Sequence, residues 1–163
     1  MSSFFQRVAG APISWGVCEV PGWGLELPVD RVLSEMQELG LAATELGSDG
    51  YLPTDPGELR EVCARYDLEM IGGFVPVVLH DPAQRDASLA AAERAAALMG
   101  GAGGHLFITS MVTSFDWAPR LEIDAAAWDY AAAMLDEIEE IVAAHGMSQA
   151  IHPHLGTMIE RPS

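Results

Sequence analysis

Apolar residues recur along the chain in two alternating rhythms. Near-continuous apolar runs of strand length lie at 8–15, 42–46, 70–79, 105–110 and 149–154, and the longer segments between them repeat apolar residues every three or four positions. Val32, Leu33, Met36 and Leu39 mark one face of a predicted helix at 29–39, with Gly40 as its stop. A second helix, at 56–66, starts on Pro56 and carries Leu59, Val62 and Cys63 as its stripe. The third, at 88–99, is rich in Ala and runs into the glycines of GGAGG. The fourth, at 124–145, opens on Asp124 as N-cap and closes at Gly146.

The resulting order is βαβαβαβαβ. Strands that are apolar on both faces, each followed by a helix, predict parallel pairing, because the helix supplies the crossover and covers one face. An open doubly wound sheet and a closed barrel both satisfy that pattern. The doubly wound nucleotide fold calls for G-x-G-x-x-G after its first strand, where this chain has SWGVCEVPGWG instead. Glu45, His80, His152 and His154 all fall at the C-terminal ends of predicted strands, the end at which a barrel keeps its active site. The expected fold is therefore α/β, a parallel (βα) barrel of the TIM type reaching (βα)4 plus a fifth strand, as a single domain over 1–163.

Composition narrows the functions available. Half of the 163 residues are hydrophobic and mean hydropathy is +0.18, enough for one real core. No apolar run approaches the roughly 20 residues needed to cross a bilayer, so a soluble, cytoplasmic protein without a membrane partner is expected. A net charge of −16 repels a phosphate backbone, which opposes nucleic acid as a partner and with it an abasic-site endonuclease on the same fold. All the basic residues are Arg, and the lack of Lys excludes Schiff-base chemistry and a P-loop. Cys18 and Cys63 are isolated from each other and from His, so they are read as reduced thiols.

Several polar and aromatic residues carry candidate chemistry. His152 and His154 alternate across Pro153, which directs both imidazoles to one side, where they could bind a divalent ion or sugar hydroxyls; a hydrogen-bonded pair in a polar barrel mouth is the plain alternative. His80 could move a proton near neutral pH, or bond Asp81 or a backbone carbonyl. Glu45 ends an apolar strand in which a carboxylate is costly unless used, and is the candidate acid or base. Trp15, read as ending the first strand, is chosen over Trp23 and Tyr51 to pack on the C–H face of a sugar ring. His105 and His145 are read as structural, and DEIEE at 136–140 as a solvated helix face.

Four blocks, GAPISWGVCEVPGWG at 10–24, ATELGSDGYLPTDP at 43–56, GGFVPVVLHD at 72–81 and HPHLGTMIE at 152–160, resemble the sugar phosphate isomerase/epimerase family of xylose-isomerase-like (βα)8 barrels, in particular its inosose dehydratase branch. The resemblance runs from about Val8 to the last residue. It implies isomerase, epimerase or dehydratase (lyase) chemistry on a sugar or cyclitol, with a divalent metal, Mn2+, Co2+ or Mg2+, in the complete barrel. It also adds Glu160 as a substrate or metal contact, with a solvated loop carboxylate as the plain alternative, and it places this chain in the N-terminal half of a barrel of roughly 250 residues. The metal ligands of the later strands have no counterpart here, so any site at His152 and His154 is expected to be incomplete and the chain inactive alone. A non-catalytic half-barrel or assembly module is the other reading, with homo-oligomers forming through exposed sheet edges.

Overall fold

A computed structural model describes residues 7–18, 20 and 22–160. The elements are β1 (Ala9–Gly10), α1 (Val29–Glu38), β2 (Ala43–Glu45), α2 (Pro56–Ala64), β3 (Glu69–Val77), α3 (Arg85–Gly101), β4 (Leu106–Met111), α4 (Ala125–Ala144) and β5 (Ser148–Ile151). The strands form one parallel sheet in the order β1-β2-β3-β4-β5, as the alternating pattern predicts.

The chain divides into two units, with β3 and α3 running through both: one contains the residues up to Gly73 together with Leu98–His105, the other Phe74–Ala97 and the residues from Leu106 onward. In the first, β1 pairs with β2 through Ala9 with Ala43, and β2 pairs with β3 through Ala43 with Glu69. Its core includes Val32, Leu33 and Met36 of α1 with Leu59 and Cys63 of α2, all nearly or wholly inaccessible. In the second, β4 pairs with β5 from Leu106 with Ser148 to Thr109 with Ile151. Phe107, Met111, Met134, Ile138 and Val142 are buried there.

All four α-helices end in the same way. The chain turns through one left-handed residue, whose N–H and that of the next residue bond back to carbonyls of the last turn. Gly40 and Leu41 do this onto Gln37 and Met36, Asp67 and Leu68 onto Ala64 and Cys63, Gly103 and Gly104 onto Gly100 and Met99, and Gly146 and Met147 onto Ala143 and Val142. This is the Schellman arrangement, which satisfies orphan carbonyls and reverses the chain. Asp67, at φ 55, does with a side chain what the glycines do without one, and its carboxylate accepts from Gln37 Nε2 at 2.9 Å. Helix starts are equally local. Asp55 accepts from the N–H groups of Gly57 and Glu58, and Asp124 from that of Ala127, each at 2.9 Å.

Most boundaries shift by one to three residues from the sequence expectation, and three differences bear on the site or have a local cause. The first strand is only two residues long, because Pro12, with φ fixed and no N–H to give a ladder, turns the chain into a 3-10 helix over Pro12–Trp15. Helix α3 continues through Gly100 and Gly101 and reverses at Gly103 (φ 100). Gly101 stays helical against the start of α2, where an added Cβ would lie 2.9 Å from Pro56 Cβ. The fifth strand ends at Ile151, so His152 and His154 follow it rather than belong to it.

Both cysteines are free. Burial pushes the Cys63 thiol up to about 11. Among the described residues no helix is long and apolar enough to cross a membrane.

Gly146 isolates the cost of the turn, since a Cβ there would touch nothing within 4 Å while φ is +73. Gly146→Ala should lose about 1 kcal/mol in urea unfolding and Gly146→Asn about half of that. Equal stability of all three proteins would show that the turn is not held in the left-handed region.

Candidate functional site

The second unit gathers two of the predicted histidines. Just after β5, His152 N–H bonds the Thr109 carbonyl at 2.8 Å, closing the Thr109–Ile151 pair of the β4–β5 ladder. The imidazoles of His152 and His154 then lie with centroids 5.5 Å apart, as their alternation across Pro153 predicts. His154 Nδ1 is 2.8 Å from the Leu155 carbonyl, an acceptor, so Nδ1 carries the proton and Nε2 of the neutral ring keeps its lone pair.

Two aromatic rings complete the cluster, and neither is among the residues singled out from the sequence. Phe74 meets His152 edge-on at 5.6 Å and His154 at 5.9 Å, and stacks on Trp117 at 6.2 Å with ring planes 11° apart. Trp117 meets His154 at 6.2 Å. The indole is delivered by a turn: the Ser114 hydroxyl donates to Asp116 and accepts from Ala118 N–H at 3.0 Å, while Trp117 N–H bonds the Ser114 carbonyl. Trp117 is held there at φ 60, a region costly for a residue with a Cβ. S-x-D followed by an aromatic residue is the local signal for such a turn.

Beyond His154 the chain folds back. Thr157 N–H and Oγ1 both bond the His154 carbonyl, and Met158 N–H reaches the Met111 carbonyl at 2.8 Å. Glu160 sits in this loop, with Oε2 3.4 Å from Gly156 N. His80 follows β3, and its Nδ1 is buried with no partner among the described residues. Asp81 is otherwise engaged, accepting from Ala83 N–H at 2.9 Å to cap a short 3-10 turn. Ser110 Oγ, near the end of β4, is likewise buried with no partner among the described residues. Such atoms leave hydrogen-bonding capacity for a water or a ligand hydroxyl to fill.

The first unit holds Trp15 and Glu45. Glu45 is half-buried where the β2–β3 register shifts, Thr44 facing Met70 and Glu45 facing Gly72, a bulge of the kind that re-aims a side chain. Trp15, placed by the 3-10 turn rather than by a strand end, is half-buried and donates its indole N–H to Glu35. Tyr51 bonds the Leu27 carbonyl at 3.0 Å, and Trp23 is 73% exposed. His145, at the end of α4, pairs with Glu93 at 2.8 Å on the surface.

Among the described residues no three His, Cys, Asp or Glu side chains lie together so as to hold a metal ion. His152 and His154 offer two imidazoles, fewer donors than a stable divalent site uses, so the donor set present does not fit a complete metal centre.

No family model matches the chain. It is 30% identical over 163 residues to the inosose dehydratase of Geobacillus kaustophilus, covering 94% of this chain and 52% of that protein. It is 29% identical to the rhizopine catabolism protein MocC of Rhizobium meliloti, covering 94% and 49%. It superposes on an L-ribulose 3-epimerase with TM-score 0.64 at 17% identity, over 89% of this chain and 48% of that one. On a xylose isomerase-like TIM barrel protein from Mycobacterium smegmatis in complex with magnesium the values are 0.59, 18%, 98% and 59%. The fold is thus that of xylose-isomerase-like TIM barrels, and the chain is a homologue of inosose dehydratase and MocC. It spans about half the length of the curated relatives it matches.

If the Ser114 turn places Trp117, then Ser114→Ala, which removes both hydroxyl contacts, should cost about 1 kcal/mol and weaken the near-ultraviolet circular dichroism that Trp117→Phe identifies as the Trp117 contribution. An unchanged spectrum in Ser114→Ala would mean the indole is held by its ring contacts alone.

Proposed function

We propose that this chain supplies one half, the N-terminal one, of an isomerase, epimerase or dehydratase barrel acting on a polyol or keto-sugar, and that its reaction is dehydration of an inosose. The observation that carries the reading is the pair of imidazoles bracketed by Phe74 and Trp117 in a homologue of inosose dehydratase. The rings offer apolar faces to the C–H side of a sugar or cyclitol, and His154 Nε2 offers an acceptor to its hydroxyls.

The chemistry common to these reactions is removal of a proton from the carbon next to a carbonyl. Glu45 is the group assigned to move that proton, and His80, whose buried Nδ1 has no partner among the described residues, is assigned to hold or relay one at a substrate oxygen. Trp15 contributes a ring face and Glu160 a carboxylate for a hydroxyl. The magnesium complex of the structural neighbour supports a divalent ion in the complete protein, Mn2+, Co2+ or Mg2+, with His152 and His154 among its contacts and further ligands outside this chain. The residues described do not complete a site for that ion by themselves.

Residues 1–163 with added Mn2+ should show no turnover of 2-keto-myo-inositol and only weak calorimetric Mn2+ binding, lost in His154→Ala. The chain joined to the remaining strands of a barrel should be active. In that longer protein Glu45→Gln should lower kcat by about 10²-fold or more and leave KM within a few-fold. Turnover by residues 1–163 alone would overturn the half-barrel reading, and unchanged kcat in Glu45→Gln would return Glu45 to a structural role.

A further inference from the structure

The indole N–H of Trp15 is committed to a carboxylate. Trp15 Nε1 donates to Glu35 Oε2 at 2.7 Å, and the other oxygen, Oε1, accepts from Arg31 Nε at 2.9 Å one turn earlier in α1. The Arg31 hydrogen bond and then the Trp15 hydrogen bond hold the Glu35 carboxyl below the usual carboxylate range.

The backbone around Trp15 is fixed by other means. Trp15 is the last residue of the 3-10 turn, Gly16 follows at φ 88, and the Gly16 carbonyl accepts from Leu25 N–H at 2.8 Å. Backbone bonds fix where the side chain starts but leave its rotamer open, and a half-buried indole has several staggered choices. The charged, directional contact to Glu35 selects among them.

We infer that Glu35 is a positioning residue for Trp15. It orients the indole and, by using its single polar hydrogen, limits Trp15 to recognising a ligand through the ring face. Indole has one donor and no acceptor, so a sugar or cyclitol would meet it with C–H groups and not with hydroxyls. The inference rests on the assignment of Trp15 to the substrate under the proposed function.

The test uses nuclear magnetic resonance of the full 15N-labelled chain, with the Trp15 indole N–H signal identified by its loss in Trp15→Phe. In the wild type this proton should exchange slowly with solvent and should shift as pH falls below the ordinary carboxylate range, where Glu35 takes up its proton. Glu35→Ala should speed exchange about tenfold, and Glu35→Gln, which keeps a neutral acceptor, should recover most of the protection without the acid-range shift. Equal exchange in wild type and Glu35→Ala overturns the positioning role. Addition of an inosose to the chain joined to the remaining strands of a barrel should move the Trp15 ring C–H signals while leaving the indole N–H bonded to Glu35. A ligand that displaces Glu35 from that N–H overturns recognition by the face. Ring signals that stay still while exchange follows Glu35 as described would remove Trp15 from the substrate site and leave the Glu35–Trp15 link standing.

Discussion

The architecture depends on one repeated backbone event, the left-handed residue that closes each helix. A parallel strand cannot follow its neighbour directly; the chain must travel back along a helix and then turn into the sheet. Gly40, Asp67, Gly103 and Gly146 make that turn, and the strand that follows starts within a few residues each time. Because the two closing bonds fix the path of the chain, the residue after the turn enters at a set height. Leu68 and Met147, each in that position, are buried as a result. The local turn thus constrains where the next strand can begin to pair.

The β4–β5 register decides the candidate site. Thr109 faces Ile151, and the bond from His152 N–H to Thr109 closes that pair of the ladder. A slip of one position would turn His152 and His154 to the other side of the sheet, away from Phe74 and Trp117. The fold-back from His154 to Met158, anchored on the Met111 carbonyl, fixes the chain on the far side of the pair. The two imidazoles are therefore held by backbone bonds before and after them, while their rings remain exposed. Rigid backbone with accessible side chains suits a group that must meet a ligand.

What was legible in the sequence follows from which signals are local. Helix stops and one cap were readable because Asp124, Gly40 and Gly146 act on their own neighbours, whereas the Asp55 cap was passed over for the Pro56 that follows it. The left-handed Asp67 was not, since an Asp in that conformation looks like any other surface acid. The first strand was overextended because APISW is apolar enough to read as strand, and one proline outweighed the pattern. Pairing of His152 with His154 was legible from alternation alone. Phe74 was hidden for the opposite reason: in GGFVPVVL both faces are apolar, so nothing in the run tells which side chain meets the histidines and which enters the core. Trp117 depended on a Ser–Asp turn that puts an aromatic residue at positive φ, a choice made by hydrogen bonds within the loop and not by hydrophobic pattern.

The polar atoms left without partners among the described residues extend the same logic to chemistry. His80 Nδ1 and Ser110 Oγ are buried at or beyond the C-terminal ends of β3 and β4, where a barrel of this kind concentrates its polar groups. A protein selected only for stability would pair such atoms or replace them with apolar ones of similar shape, since an unmade buried hydrogen bond costs about 1 to 3 kcal/mol. Glu45, at the bulge where β2 meets β3, shows a related departure from regular pairing. Tyr130 Oη in α4 is a third buried atom with no partner among the described residues, so such cost is not confined to the strand ends, but at those ends it falls on groups that a ligand could use.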